Sequence, residues 1–226
     1  MFLPKTTKNL LDDLRAPHLR LHFSQFGEDC YLWHHFHSRP PGFYVDVGCH
    51  DPYRYSNTYL LYHYRNWSGI NIDADQRAID RFAEARPKDI NICIGVGLSE
   101  GTASFTTFED GAVNTFDSTM AESRDQTVSG TEIKQIAVRR LADILNQYLP
   151  ENTAIHYMNV DCEGLDHDVI LSNDWQKYRP EILSVEIHGM NLGAPLKNPT
   201  VAFLKEQGYV MKAHYLCTTF FMRRGK

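Results

Sequence analysis

An acid and a glycine two residues apart follow a short apolar run near the start of the chain, and this pair could form part of a ligand-binding loop. The run ends in Asp46, Val47 and Gly48. Its aromatic and β-branched residues are typical of a β-strand. In an open α/β sheet ligands bind beyond the carboxyl ends of the strands, and a glycine there lets a ligand approach the backbone closely. We therefore predict a binding loop at Gly48.

The residues of this loop favour a positively charged ligand over a phosphate. A dinucleotide-binding loop needs three glycines in the pattern G-x-G-x-x-G, whereas this loop continues as Cys49, His50, Asp51 and Pro52. The carboxylate of Asp46 would repel phosphate, but it can pair with a cation. S-adenosylmethionine carries an ammonium and a sulfonium group and has no phosphate, so it fits the pattern.

A second acid, Asp73, ends another apolar run at residues 69–72. It lies roughly 20 residues or more after Gly48, where the carboxylate of an α/β nucleotide site holds the ribose hydroxyls. We assign that role to Asp73. Asp75 is interpreted as the N-cap of a helix that begins near Gln76. The alternative is that both acids are helix caps.

Strand-like and helix-like patterns alternate along most of the chain, which is typical of an α/β sheet with parallel strands. Apolar, β-branched runs predict core strands at residues 43–47, 67–73, 90–97, 154–160 and 180–189. Helices are predicted between them, most clearly at residues 76–86, 141–148, 165–171 and 201–207. Further strands are predicted at residues 103–108 and 136–138 and, as a closing antiparallel pair, at residues 209–213 and 217–223.

Composition excludes several classes of protein. The net charge of -5 provides no basic surface for nucleic acid. The five cysteines are scattered, odd in number and form no C-x-x-C pair, which favours reduced thiols in the cytoplasm and disfavours a structural zinc site. No apolar run approaches the length of about 18 residues that a membrane span requires, so we expect no transmembrane segment.

Short motifs in a fixed order along the chain resemble those of the FkbM family of S-adenosylmethionine-dependent methyltransferases. The matching segments are residues 24–29 (SQFGED), 45–48 (VDVG), 56–59 (SNTY), 69–73 (GINID), 159–164 (NVDCEG) and 185–188 (VEIH), and the match continues to the final strand. Each motif alone is weak, whereas the ordered set is specific. The loop after Gly48 departs from the family pattern, since Cys49 replaces the usual small residue and no second glycine follows.

The resemblance implies a fold and a reaction. The fold is the class I methyltransferase (Rossmann-like) α/β fold, with a seven-stranded, mostly parallel sheet, an antiparallel last strand and helices on both faces. The reaction is methyl transfer to an oxygen, often a hydroxyl of a sugar or of a polyketide-like product.

The predicted cofactor site gathers residues from several of these motifs. We place Asp46, Gly48 and Asn57 around the methionine end and Asp73 on the ribose. The full predicted set comprises Glu28, Asp46, Gly48, Asn57, Asp73, Ala74, Gly97, Leu98 and Asp161, with Gly97 and Leu98 near the adenine. Glu28 has a second interpretation, since its spacing from Ser24 is that of a helix-capping pair.

The predicted catalytic residues lie at the ends of strands. A hydroxyl is a poor nucleophile at neutral pH and needs a base, and His188 is the first candidate because the ordinary pKa of histidine lies near neutrality. His50 is the second candidate, and Glu163 completes the catalytic set. A structural role is the alternative for His188. Asp161, Glu163 and Glu186 could instead bind Mg²⁺ or Ca²⁺, although acids at strand ends also arise because helix N-termini follow them.

The length of 226 residues favours one large domain with an N-terminal extension. We predict a helical extension at residues 1–42 that packs on the core, followed by the methyltransferase domain at residues 43–226. Within that domain, residues 109–135 are polar and rich in Gly, Ser and Thr, and so long a loop is typically functional or disordered. We interpret it as a mobile loop over the acceptor site, with simple disorder as the alternative.

The sequence therefore predicts a cytoplasmic O-methyltransferase whose acceptor is a small molecule or a saccharide. The first choice of acceptor is a hydroxyl of a sugar or of a glycan-biosynthesis intermediate. Two alternatives stay open: a catalytically inactive glycan- or nucleotide-binding protein with the same fold, and a methyltransferase for polyketide-like molecules. A homo-oligomer is compatible with the sequence. A nucleotide-dependent oxidoreductase would need the glycines that the loop lacks.

Overall fold

The computed structural model describes residues 22–125 and 131–225, and these residues form a mixed α/β fold. The strands are β1 (Phe43–Val47), β2 (Ser68–Asp73), β3 (Ile90–Cys93), β4 (Gly95–Val96), β5 (Gly101–Thr107), β6 (Glu132–Arg139), β7 (Tyr157–Val160), β8 (Ile182–Glu186), β9 (Tyr209–Tyr215) and β10 (Thr218–Arg223). The helices are α1 (Glu28–Phe36), α2 (Tyr59–Arg65), α3 (Gln76–Ala85), α4 (Ser118–Asp125), α5 (Leu141–Tyr148), α6 (Asp166–Leu171) and α7 (Pro199–Glu206). Short 3₁₀ helices lie at Gly111–Val113 and Pro195–Lys197.

The main sheet has seven strands in the order β3-β2-β1-β7-β8-β10-β9. Within it, the five adjacent strands β3, β2, β1, β7 and β8 run parallel to one another. Strand β10 runs antiparallel to both β8 and β9. The predicted seven-stranded, mostly parallel sheet with an antiparallel last strand is therefore confirmed.

The two faces of the sheet bury different helices, because side chains alternate along a strand. Tyr44 packs in one core with Leu32 of α1 and Leu61 of α2. Val45 packs in the other core, which includes buried residues of α5, α6 and α7. Burying one such aliphatic side chain contributes about 1.5–3 kcal/mol relative to leaving it exposed, so both faces hold the central strands in place.

The segment predicted as one strand at residues 90–97 is divided between two sheets. Strand β3 pairs with β2, and Ile94 then donates its backbone N–H to the carbonyl oxygen of Asp73 at 2.8 Å. Strand β4 pairs instead with β6 in a separate three-stranded sheet of order β4-β6-β5. Apolar periodicity predicts that a segment is extended but not which strand it pairs with, and this is why the break was missed.

Other predicted elements agree with the structure to different degrees. Helix α5 has the predicted bounds. Strand β6 begins at residue 132, before the predicted residue 136, so part of the segment at residues 109–135 is regular structure. Residues 1–21 of the predicted helical extension lie outside the described residues, as do residues 126–130 of the predicted loop.

All five cysteines lie in the described part of the chain and are free thiols. Among the helices of residues 22–125 and 131–225, none combines the length and apolar character that crossing a bilayer requires.

The topology brings polar residues from distant parts of the sequence to one edge of the sheet. Strands β1, β2, β7 and β8 are parallel, so their carboxyl ends meet at the same edge. The antiparallel strand β10 starts at that edge, where Thr218 pairs with Glu186. The carboxyl edge is therefore where a functional site is expected.

Candidate functional site

A cavity of about 480 Å³ opens at the carboxyl edge of the main sheet. Its volume is within the range of about 300–1,000 Å³ that is common for small-molecule sites. Most of the predicted site residues line it: Glu28, Asp46, Gly48, His50, Asn57, Asp73, Ala74, Asp161, Glu163, Glu186 and His188. Gly97 and Leu98 are not among the described residues that line it, and Ile94, Gly95 and Val96 take that part of the wall.

Gly48 is required by the packing of two loops. Its φ of 76° is in the left-handed region that favours glycine. A Cβ atom at this position would lie 1.8 Å from the carbonyl oxygen of Asp161, which is closer than two non-bonded atoms can approach. We expected this glycine to make room for a ligand, whereas the space is filled by the loop that follows β7.

Asp73 projects into the cavity from the end of β2, and both of its carboxylate oxygens accept backbone hydrogen bonds. Oδ2 accepts the N–H of His50 at 2.9 Å, and Oδ1 accepts the N–H of Asp75 at 2.8 Å. Burial outweighs these bonds and raises the pKa of Asp73 to about 6. Each oxygen keeps a further lone pair with which to accept a hydrogen bond from a ligand.

Asp75 is the N-cap of α3, as predicted. Its side chain accepts the N–H of Arg77 at 3.0 Å. The two neighbouring acids therefore differ: Asp75 caps the helix and pairs with the Arg77 guanidinium at 2.8 Å, whereas Asp73 lines the cavity.

Asp46 is almost fully buried, and protein groups occupy both of its oxygens. Oδ2 accepts the Thr58 hydroxyl at 2.7 Å, and Oδ1 accepts the Asn159 amide at 3.0 Å. Burial raises the pKa of Asp46 above its ordinary value. The side chain amide of Asn57 donates to Asn159 Oδ1 at 3.1 Å. Among the described residues, Asn57 Oδ1 has no hydrogen-bond partner although it is buried.

Thr58 and Asn159 lie in two of the motifs that carry the family resemblance, at residues 56–59 and 159–164, but neither was assigned a role in the site. Asn159 lies inside a strand, between Met158 and Val160. The signal that could have identified it is its type, because a buried amide in a central strand needs hydrogen-bond partners.

His50 lines the cavity next to Asp73 and has an unusual backbone conformation. Its φ is 54°, which is uncommon for a residue other than glycine. Its ring nitrogen Nε2 is buried and has no partner within the described residues. Burial is the main cause that lowers the pKa of His50, whose side chain lines the cavity.

Three carboxylates meet where β7 and β8 end. Ligand atoms of Asp161, Glu163 and Glu186 all lie within 4.8 Å of one another. Burial, followed by the charge of Glu186, holds the pKa of Asp161 well above its usual range. Glu163 has a φ of 48°, and such strained residues tend to cluster at functional sites. The arrangement favours either a bound cation or a shared proton.

His188 forms a pair with one of these carboxylates. Its Nε2 lies 3.0 Å from Glu186 Oε1, and its side chain is 64% exposed at the mouth of the cavity. Glu186 and His188 also form a second potential ligand group with the Cys217 thiol, again with all ligand atoms within 4.8 Å. Cys217 was not in the predicted site, because the chain returns to this edge only through the β9–β10 turn. Burial raises the pKa of this thiol to about 11.

Glu28 connects the start of α1 to the start of β10. Its Oε2 accepts the N–H of Phe26 at 2.8 Å, and its Oε1 accepts the Thr218 hydroxyl at 3.4 Å. The expected capping pair of Ser24 and Glu28 is absent from these bonds. Ser24 instead accepts the N–H of Asp29 at 3.2 Å and donates to its carboxylate at 2.9 Å. Because Ser24 pairs with Asp29, one residue later than expected, Glu28 can line the cavity.

The comparisons with known proteins identify one family. The family model described as Methyltransferase FkbM domain matches residues 46–211, which is more than half of the chain. No curated protein and no solved structure matches the chain. The matched segment includes Asp46, Asp73, Asp161, Glu163 and Glu186, whereas Glu28 and Cys217 contribute to the cavity from outside it.

Proposed function

The chain belongs to the methyltransferase FkbM family, and on this premise we propose that it is an S-adenosylmethionine-dependent O-methyltransferase. Its acceptor is a hydroxyl of a sugar or of a glycan-biosynthesis intermediate, and its fold is of class I. The observation that supports the proposal is the cavity at the carboxyl edge, where carboxylate, amide and imidazole side chains lie together. The N-terminal extension at residues 1–42 and the methyltransferase domain at residues 43–226 are part of the same proposal.

The groups in the cavity fit the cofactor. Its ammonium needs a hydrogen-bond acceptor, and Asn57 Oδ1 is a buried acceptor that has no partner among the described residues. Its ribose hydroxyls are donors, and the Asp73 carboxylate retains lone pairs toward the cavity. We assign the adenine to the apolar wall formed by Ile94, Gly95 and Val96, in place of Gly97 and Leu98. Ala74 lies beside the ribose position in the same wall.

When bound, the cofactor would supply a methyl group from a positively charged sulfur to the acceptor oxygen, with the electrons of the breaking carbon–sulfur bond left on sulfur and the hydroxyl proton passed to a base of this chain. The protein has to hold the reacting atoms in line, and positioning of this kind can supply roughly 7–11 kcal/mol. The walls of the cavity, built by loops from four strands and from residues 110–116, are suited to exclude water.

We assign the base to His188. Its Nε2 is held by Glu186 at 3.0 Å, so Nδ1 carries the lone pair that accepts the hydroxyl proton. A carboxylate that orients an imidazole and stabilises its cationic form is a recurrent arrangement in catalysis. His50 is the second candidate, because its Nε2 is buried in the cavity wall, and Glu163 is the third.

A divalent cation is a further part of the proposal. Asp161, Glu163 and Glu186 present carboxylate oxygens, which are the ligands that Mg²⁺ and Ca²⁺ prefer. A cation there would relieve the repulsion between the three acids and polarise the acceptor hydroxyl. Exhaustive chelation should lower turnover, and Mg²⁺ should restore it. Turnover that is unchanged after chelation would remove the metal from the proposal.

A screen of acceptors tests the function. Purified protein is incubated with S-adenosylmethionine carrying a labelled methyl group and with nucleotide sugars, glycan fragments and polyketide-like alcohols, and products are identified by mass spectrometry. The proposal predicts a labelled methyl ether on a saccharide. Label on a polyketide-like alcohol would assign the acceptor to that class in place of the saccharides, and O-methylation would remain the reaction.

Calorimetry with S-adenosylhomocysteine distinguishes the remaining alternatives. Binding of this product without transfer to any acceptor would indicate a non-catalytic binding protein with the same fold. Absence of binding, together with a fluorescence response to NADH, would indicate an oxidoreductase and contradict the proposal.

A further inference from the structure

A buried arginine lies behind the cofactor side of the cavity. Arg86 is only 1% exposed and directly follows α3. Its guanidinium donates to the Thr58 hydroxyl at 2.8 Å, to the Ser56 hydroxyl at 2.8 Å and to the Tyr44 hydroxyl at 3.1 Å. It also stacks 4.7 Å from the centre of the Phe82 ring. Arginine can only donate hydrogen bonds, so each of these hydroxyls must accept from it.

This constraint sets the direction of the next hydrogen bonds. Because the Thr58 oxygen accepts from Arg86, its own hydrogen is free to donate to Asp46 Oδ2 at 2.7 Å. Donation from Thr58 favours the ionised form of Asp46, whose two oxygens can only accept, and Asn159 therefore turns its NH₂ group toward Oδ1 at 3.0 Å.

The orientation of the Asn159 amide in turn fixes that of Asn57 at the cavity wall. With its NH₂ on Asp46, Asn159 presents Oδ1 to the other side, where it accepts the Ser184 hydroxyl at 2.6 Å and the Asn57 NH₂ at 3.1 Å. Reversing the Asn57 amide would bring two acceptor oxygens together. Asn57 must therefore present Oδ1 on its remaining side, where this 92%-buried side chain lines the cavity and Oδ1 has no partner within the described residues.

We propose that Arg86 determines the specificity of this subsite by orienting the chain through Thr58, Asp46 and Asn159, so that Asn57 recognises an ammonium group. The inference rests on the proposed function and adds to it the group that selects the ammonium of the cofactor. Arg86 is not among the described residues that line the cavity, so its proposed role is that of a positioning residue. A subsite with the opposite amide orientation would present N–H groups and would favour a carboxylate at the same place.

Two ligands and one isosteric variant test the proposal. Binding of S-adenosylhomocysteine is compared by calorimetry with binding of its analogue in which hydrogen replaces the amino group. The wild-type protein should bind the amine about 10- to 100-fold more tightly, which is typical of a hydrogen bond to a charged group. In Thr58→Val the link between Arg86 and Asp46 is broken, and this preference should fall to near unity while affinity for the analogue is retained.

A matched control separates orientation from stability. Thr219→Val removes an equally buried hydroxyl, which bonds His214 at 2.8 Å outside the chain of hydrogen bonds, and it should keep the wild-type preference. A purely structural role for Thr58 would weaken both ligands equally and would overturn the inference. Arg86→Met should reduce the preference as Thr58→Val does, and a wild-type preference in this variant would also overturn it. Where Arg86→Met does not fold, Thr58→Val decides.

The outcomes also separate this inference from the proposed function. A wild-type protein that binds both ligands with equal affinity would contradict the specificity of Asn57 and leave methyl transfer intact. A wild-type protein that binds neither would contradict the proposed function itself.

Discussion

At the amino ends of the parallel strands the carboxylate of Glu181 is paired with cationic and imidazole side chains, whereas at the carboxyl ends the half-buried Asp73 and Asp161 lie beside other acids. Glu181 accepts two bonds from Arg39, at 2.6 and 2.8 Å, and lies 2.8 Å from His35 Nε2. The bond from Arg39 is the main cause that lowers its pKa to about 2. Burial raises the pKa of Asp73 to about 6 and that of Asp161 well above its usual range.

The difference separates a stabilising end of the sheet from a binding end. A carboxylate whose pKa is lowered by a partner stabilises the folded state, whereas one whose pKa is raised destabilises it when ionised. Functional sites commonly hold such perturbed groups, because the ligand supplies the compensating charge or hydrogen bonds. We therefore interpret the acids at the carboxyl end as groups kept for a ligand at some cost in stability.

The largest effect is expected from removing the proposed base at the binding end. His188→Ala should lower kcat by about 100- to 10,000-fold, because transfer of the hydroxyl proton to a positioned base contributes that much. Initial rates with the acceptor identified by the screen measure it. His34→Ala, at an exposed histidine of α1, is the control and should leave kcat unchanged. If kcat of His188→Ala stays within about twofold of wild type, the base is reassigned to His50.

Removing the carboxylate proposed to bind the ribose should weaken cofactor binding without unfolding the protein. Asp73→Ala is expected to lower affinity for S-adenosylhomocysteine by about 100-fold or more, because hydrogen bonds from both ribose hydroxyls to a charged group are lost. Calorimetry measures the affinity, and circular dichroism checks the fold. Asp80→Ala, an exposed acid of α3, should bind normally. Wild-type affinity in Asp73→Ala would show that this acid does not hold the ribose.

The two ends should respond to pH in opposite directions. Asp166 begins α6, and its carboxylate accepts the N–H of Cys162, in the loop after β7, at 2.8 Å. Burial raises the folded-state pKa values of Asp73 and Asp166 to about 6 and about 7, above the ordinary 3.8, so their ionisation destabilises the folded state. Lowering the pH from about 8 to about 5 should therefore raise the Tm of the ligand-free protein. Glu181 has a lowered pKa, so its contribution is present above the ordinary value of 4.5 and is lost as the pH falls toward about 2.

Thermal denaturation at a series of pH values measures both the rise in Tm at mildly acidic pH and its fall at strongly acidic pH. Asp73→Ala should flatten the rise at mildly acidic pH, and Glu181→Gln should flatten the fall at strongly acidic pH. A Tm that falls steadily from about pH 8 to about pH 5 would contradict the opposition between the two ends.

The smallest effect is expected at the stabilising end. Glu181→Gln should lower the Tm by about 2–4 °C, because a partly exposed pair contributes on the order of 1 kcal/mol. Affinity for S-adenosylhomocysteine should not change. Glu84→Gln, at an exposed acid of α3, is the control for the substitution itself. A loss of cofactor affinity in Glu181→Gln would mean that the two ends are coupled.

Several features of the site were predictable from local patterns. Apolar runs that end in acids identified the strands that carry Asp46, Asp73 and Asp161, and their parallel direction follows from the helices between them. The bounds of α5 and the cap at Asp75 were also correct, because helix starts depend on residues that are close in sequence.

Other features depend on residues that are far apart in the chain. Arg86 has the sequence pattern of an exposed charge at a helix end, yet it is buried by packing against Tyr44 and Phe82. The break at Ile94 depends on the position of β6, more than 30 residues later. Cys217 reaches the cavity only because β10 runs antiparallel to β8.

Short-range preferences were thus enough to place the carboxylates along one edge of a parallel sheet, since strand direction and periodicity are encoded within a few residues. Only the tertiary structure decided the surroundings of each acid. Asp75 pairs with an arginine, Asp46 has both oxygens bonded to protein groups, and Asp73 lines the cavity. The physical reason is that burial and hydrogen-bond partners come from residues distant in sequence. Gly48 illustrates it, because the atom that excludes a side chain there belongs to Asp161.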